Sequence, residues 1–222
     1  PRAGAIAMIR SVADHGGTFA ELLDLLGGVP LNRILTRPAP GMATERDVER
    51  LLEDPKRRLC ELVHGVLLEE AIGLKESRIG GIVFHHLENN SEQYGRGTAF
   101  LPTALFPGLV YIPDVSFILD EQLPDGEIPE EPIPNLFPDL AVEVLSKGNT
   151  KAEMQRKLRD YFRAGAKQVW LIDPRKQIVD VFTSPTRHTR LLREDSVDGG
   201  AMLPGFVLPV KALFARRAPR SK

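Results

Sequence analysis

The chain has 222 residues, 42% of them hydrophobic, which suffices for one well-buried core and is too few for two large ones. Its 29 basic and 30 acidic residues leave a formal net charge of −1, so a globally basic nucleic-acid binder is excluded and any such contact needs a local patch. The single cysteine, Cys60, excludes a disulfide within a monomer and a cysteine-based zinc site, and fits a reducing cytoplasm.

Residues 1–43 read as an appendage. Its apolar run at 5–9 is interrupted by Arg10, Asp14 and His15, which argues against a signal peptide. No run in the chain approaches the ~18 apolar residues of a membrane span. Residues 19–26 predict a short helix ended by Gly27-Gly28, and Pro38, Pro40 and Gly41 make a linker. Thr44 opens a second short helix with Val48, Leu51 and Leu52 as its apolar side. Residues 59–70 resemble a hairpin, CELV-HG-VLLE, turning at His64-Gly65 and carrying Glu61 in its first arm. A helix is predicted over 74–94, with Ile79, Ile82, Val83, His86 and Leu87 on one side. Residues 98–102 make a short strand candidate and 109–119, LVYIPDVSFIL, a stronger one. Pro113 removes a ladder donor, so that strand is bulged or at an edge there; Asp114 follows on the side of Ile112 and Ser116. Residues 120–134 are polar and rich in proline and glutamate, a surface loop.

The stretch 138–174, PDLAVEVLSKGNTKAEMQRKLRDYFRAGAKQVWLIDP, organises the rest. A strand over 139–146 has its apolar run broken only by Glu143. Thr150 and Glu153 form an S/T-x-x-E capping box that starts a helix, and Gly165 supplies the left-handed residue that ends it. Met154, Leu158, Tyr161 and Phe162 define the face laid on the sheet, and a second strand runs over 168–173. The helix of such a βαβ unit runs back antiparallel to the strand it left. From Ser146 back to Glu143 is about 10 Å at ~3.3 Å per residue. From Thr150 forward to Lys157 is also about 10 Å at ~1.5 Å per residue. Lys157 therefore returns to the level of Glu143, whereas Lys151 stays well above it. Strands over 177–183 and 188–193 follow, then Leu203-Pro204-Gly205-Phe206, a closing segment and a basic, frayed tail over 215–222.

Three acids, Glu61, Asp114 and Glu143, stand alone in otherwise apolar strands. Carboxylates gathered together raise one another's pKa, and a divalent metal removes that penalty. Magnesium takes oxygen ligands, typically one or two carboxylates, and can polarise a phosphoryl oxygen and make hydroxide available near neutral pH. A lysine at the same level could orient or deprotonate the attacking water, or stabilise charge building on the phosphate. Asp114, Glu143 and Lys157 thus compose a candidate metal-dependent phosphodiesterase centre. The same residues also read as edge or solvent-facing acids and a snorkelling border lysine. Asp139 lies about 13 Å along the strand from Glu143, too far to share one metal, and reads as a strand-start residue. Lys147 follows the strand end and ranks below Lys157. The basic run Arg156, Lys157, Arg159, Arg163 and Lys167 reads as a solvated helix face, and Tyr161 as core. No two histidines have metal-ligand spacing on a helix, and no Gly-rich phosphate loop or G-x-S-x-G is present.

CELVHGVLLE, YIPDVSFIL, the 138–174 stretch and the late LPGFVLPV together resemble the Uma-type restriction endonuclease family of the PD-(D/E)XK nuclease superfamily, over roughly residues 44–214. The resemblance implies an α/β (α+β) fold, a restriction-endonuclease-like mixed β-sheet flanked by helices. It matches the superfamily's PD acid to Asp114 and its (D/E) acid to Glu143. The lysine position falls on Leu145, a departure; Lys157 matches the lysine of the family's K-x-x-x-Y motif, with Tyr161. Glu61 matches the acid of its Y-E-L-x-x-G segment, where Cys60 replaces the tyrosine. The expectation is an N-terminal helical extension (1–43), an endonuclease-like domain (44–214) and a basic tail (215–222). The expected activity is Mg2+- or Mn2+-dependent hydrolysis of DNA phosphodiester bonds, with Asp114 and Glu143 as ligands, Lys157 as catalytic lysine and Glu61 as a further acid. DNA is favoured over RNA, no membrane partner is expected, and edge strands could pair two copies as a homodimer. The alternative is a catalytically idle module that binds nucleic acid or protein.

Overall fold

The computed structural model describes residues 17–55, 58–70, 73–105 and 108–215; the apolar run at 5–9 and residues 216–222 of the basic tail lie outside them. Two short helices, α1 (Phe19–Leu25) and α2 (Glu45–Glu53), precede a hairpin of β1 (Cys60–Val63) and β2 (Val66–Glu69). The long α3 (Leu74–Tyr94) leads to β3 (Gly97–Phe100), β4 (Val115–Leu119) and β5 (Leu140–Val144). Helix α4 (Lys151–Ala164) then connects to β6 (Gln168–Asp173), β7 (Ile178–Phe182) and β8 (His188–Leu191). Strands β9 (Ser196–Asp198) and β10 (Val207–Pro209) pair with each other before α5 (Val210–Phe214).

Local chemistry accounts for the decisive boundaries. His64 and Gly65 both take positive φ, 51° and 71°, in the turn between β1 and β2, the handedness a two-residue hairpin loop needs. At α4, the Thr150 side chain accepts from the Glu153 amide while Glu153 reaches back to the Thr150 amide, and Gly165 ends the helix at φ 115°.

The six-stranded sheet has the order β3-β4-β5-β6-β7-β8. Only β5 and β6 are parallel, and α4 is their crossover. Side chains alternate across it. Ala141 of β5 joins the cluster containing Met154, Leu158 and Tyr161 of α4, whereas Leu140, Val142 and Val144 join that of α3, Phe206 and Leu213. Glu143 shares the parity of Ala141 and so faces α4.

Several expectations change here. The strand over 109–119 is split: Val110 and Tyr111 make isolated bridges to Leu62 and Leu105, and β4 begins only at Val115, after Pro113 interrupts the ladder. Strand β9 carries no sequence signal, since Ser196 and Asp198 flank a single buried Val197. The basic run of α4 is not a solvated face throughout, because Arg156 and Lys157 are buried. Residues 17–43, an appendage by sequence, place Leu22, Leu26, Val29 and Ile34 in the same cluster as α4. No helix among the described residues is long and apolar enough to cross a membrane.

Candidate active site

The β1–β2 hairpin, the approach to β4, and β5 each carry one of the three strand acids, and α4 lies over the sheet beside them. Lys157 Nζ is 3.0 Å and 3.1 Å from the two carboxylate oxygens of Glu143. It is also 2.8 Å from Glu61 Oε1 and 3.7 Å from Glu70 Oε1. The Tyr161 hydroxyl, one turn further along α4, donates to Glu143 Oε1 at 2.6 Å. The amine lies inside the molecule, 1% exposed, and Glu61 is 0% exposed. Glu61 Oε1 also accepts the Ile112 amide at 3.2 Å, while its Oε2 is buried without a hydrogen-bond partner. Asp114 Oδ2 accepts the Val144 amide at 2.7 Å, which ties the turn before β4 to the end of β5. A narrow crevice lined by Glu70, Asp114, Glu143, Ser146 and Asn149 opens onto this group. A larger cavity of about 620 Å3 lies beside the hairpin turn at His64 and Gly65 and contains none of the strand acids.

A second cation completes the cluster from the other side. Arg33, from the segment between α1 and α2, donates to both carboxylate oxygens of Glu153 at 2.8 Å and 3.1 Å and to Glu70 Oε1 at 2.7 Å. Five carboxylates, from Glu61, Glu70, Asp114, Glu143 and Glu153, thus face two cations, Arg33 and Lys157. The imbalance is visible in the acids. Burial pushes Asp114 up to about 7, and the nearby Glu143 charge adds to the shift. Burial likewise raises Glu61 and Glu143, against the pull of Lys157. Burial opposes the charge of Lys157 itself, but Glu143, Glu61 and Glu70 outweigh it and hold the ammonium protonated. Tyr161 is raised by burial and by Glu143, so its hydroxyl remains a donor.

Among the described residues, no three His, Cys, Asp or Glu side chains converge as a metal cluster. The donors facing the crevice are nevertheless hard carboxylate oxygens, from acids that outnumber the two cations bonded to them. That donor set fits a divalent ion of the magnesium type, which needs only one or two protein carboxylates.

The four residues singled out by sequence fall into one neighbourhood: Glu61 and Glu143 share Lys157, and Asp114 shares the crevice with Glu143. Asp139 stands apart, its Oδ2 accepting from the Leu119 amide and Gln122 and its Oδ1 3.1 Å from Lys167, a strand-end role. Lys147 is exposed. Sequence reasoning missed Glu70, Arg33 and Glu153 as site residues, and left Tyr161 as core. For Tyr161 a signal existed, because four residues after Lys157 on a helix is the same face. Nothing local marks Arg33.

Comparison with known proteins bears on these residues as a set. A crystal structure of a putative nuclease belonging to DUF820 from Anabaena variabilis ATCC 29413 superposes with a TM-score of 0.65 at 22% identity, covering 75% of this chain and 96% of that one. This likeness shows a shared fold. No match is found among curated proteins. The model of the Uma2 family, described as "Putative restriction endonuclease", matches residues 46–211, which include Glu61, Asp114, Glu143 and Lys157. With three quarters of its length inside that match, the chain belongs to the Uma2 family.

Proposed function

We propose that this chain is a Mg2+- or Mn2+-dependent endonuclease that hydrolyses DNA phosphodiester bonds at the crevice of Asp114 and Glu143. The observation that carries the reading is the buried Lys157 ammonium between Glu143 and Glu61, in a cluster whose acids outnumber its cations. The family description supports a nucleic-acid substrate, and DNA over RNA. Asp114 and Glu143 are the residues that would hold the cation. When bound, such an ion supplies positive charge to a phosphoryl oxygen and lowers the pKa of the attacking water.

The chain's own groups divide the remaining work. Lys157, held protonated, is no proton acceptor; it orients Glu143 and adds positive charge near the scissile phosphate. Tyr161 fixes the Glu143 carboxylate from the side of α4, and Glu61 anchors Lys157 from the hairpin. Nicking of supercoiled plasmid in Mg2+, repeated with Glu143→Ala, tests the assignment. We expect the variant to lose more than about 100-fold, beyond the usual cost of removing an outer-shell partner; cleavage that survives rejects it.

One observation favours a second reading. Lys157 and Glu61 are sealed from solvent, as they would be in a nucleic-acid- or protein-binding module that kept the fold without the chemistry. Calorimetric titration with Mn2+ separates the two, since no heat at millimolar metal supports the module. A homodimer would pair through the terminal strands of the sheet, β3 or the more exposed β8.

A further inference from the structure

Three carboxylates surround Lys157, and one of them stands off. Glu70 Oε1 lies 3.7 Å from Nζ, against 2.8 Å for Glu61 and 3.0 Å for Glu143. That same Glu70 oxygen is the one bonded by Arg33 Nη2 at 2.7 Å. The rest of the guanidinium is also spoken for. Nη1 reaches both Glu153 oxygens and the Gly148 carbonyl at 3.3 Å, and Nε donates to the Glu69 carbonyl at 2.9 Å. One buried side chain therefore ties the end of the hairpin that carries Glu61 to the first turn of the helix that carries Lys157. The surrounding backbone is fitted to this. A Cβ on Gly27 would meet the Glu153 amide nitrogen at 2.5 Å, and the Thr150 hydroxyl donates to the Gly27 carbonyl. Without Arg33, the Glu70 carboxylate would be left uncompensated beside an ammonium it already faces.

We propose that Arg33 is a positioning residue of this centre: by engaging Glu70 it keeps Lys157 committed to Glu143 and Glu61. The segment before the family match thereby becomes part of the site. The catalytic consequence rests on the nuclease reading, while the placement of Lys157 does not. A guanidinium suits the task because its planar fork meets two carboxylates at once, whereas a lysine is a point charge.

The test uses the full chain with Arg33→Lys, which keeps a cation but can serve only one of the two acids. Plasmid cleavage should fall by about ten-fold or more in kcat, the range of a lost outer-shell partner, with KM little changed. With Glu70→Gln already in place, the same Arg33→Lys change should cost less than about three-fold, because the competing charge is gone. Equal losses in the two backgrounds overturn the proposal. An independent readout is the 15N signal of the Lys157 ammonium in folded protein. We expect it to shift with Arg33→Lys and to return when Glu70→Gln is added; an unmoved signal overturns the proposal whatever the activity. A wild-type chain that cuts no DNA sinks the nuclease reading alone, and the Lys157 signal still decides the role of Arg33. If Arg33→Lys does not fold, Arg33→Gln combined with Glu70→Gln and Glu153→Gln removes the guanidinium together with both carboxylates it serves. A native Lys157 signal is then expected, and a displaced one counts against the idea.

Discussion

Lys157 is 1% exposed and shares its ammonium between Glu61 and Glu143, so each of these charges depends on the others for its place in the interior. Replacing it by Met leaves two buried carboxylates without a cation. Lys157→Met should cost ~3–5 kcal/mol in urea denaturation near neutral pH; a loss below ~1 kcal/mol would mean that the acids are solvated after all. His64 gives a second test at this scale. Its Nδ1 is buried without a hydrogen-bond partner, and burial, aided by Arg156 and opposed by Asp160, holds its pKa below the ordinary histidine value. The folded imidazole stays neutral where an unfolded histidine, near about 6.5, already takes a proton. Stability is therefore indifferent to this group above about 6.5 and falls as pH drops from there through the lowered folded value. His64→Asn, which tolerates the φ of 51°, should flatten the melting-temperature curve between about pH 7 and pH 5 relative to wild type. An unchanged slope would clear His64 of that role.

Among the elements, the β5–α4–β6 crossover does most to build the site. The rise from the Thr150 cap to Lys157 matches the extended length from Ser146 back to Glu143, so local rise alone predicts that the two meet, and they do, although β5 itself ends at Val144. The hairpin was equally legible, because His-Gly between two apolar arms permits few other conformations. The long 109–119 strand was not, because pattern reading joined two segments that Pro113 and different partners separate. Two glycines around α4 isolate packing from backbone strain. Gly165, at φ 115°, has open space where a Cβ would go, so Gly165→Ala should cost ~1–2 kcal/mol from strain alone. Gly27, at φ 82°, adds a clash with the Glu153 backbone, and Gly27→Ala should cost about 1–3 kcal/mol more. Equal costs by thermal unfolding would refute the close approach of the two segments.

At the scale of the whole molecule, the segment before α2 is built into the domain. Leu22, Leu26, Val29 and Ile34 are buried in the cluster of α4, each worth about 1.5–3 kcal/mol. Their sum is comparable with the ~5–15 kcal/mol that holds a domain folded. A chain beginning at Thr44 should therefore lose its near-ultraviolet circular dichroism or precipitate; a native spectrum would restore the appendage reading. The appendage was misread because a segment of proline, glycine and scattered leucines has no period, and only burial reveals its attachment. The same limit applies to the site. Caps, turns, apolar spacing and helix rise act over a few residues, and these alone determined the hairpin, α3, the crossover and the meeting of Glu143 with Lys157. Arg33 and Glu153 are 120 residues apart, and Arg33 and Glu70 are 37 apart. No local rule spans such separations, so the second cation and the acid it restrains were decided only when the packed core brought them together.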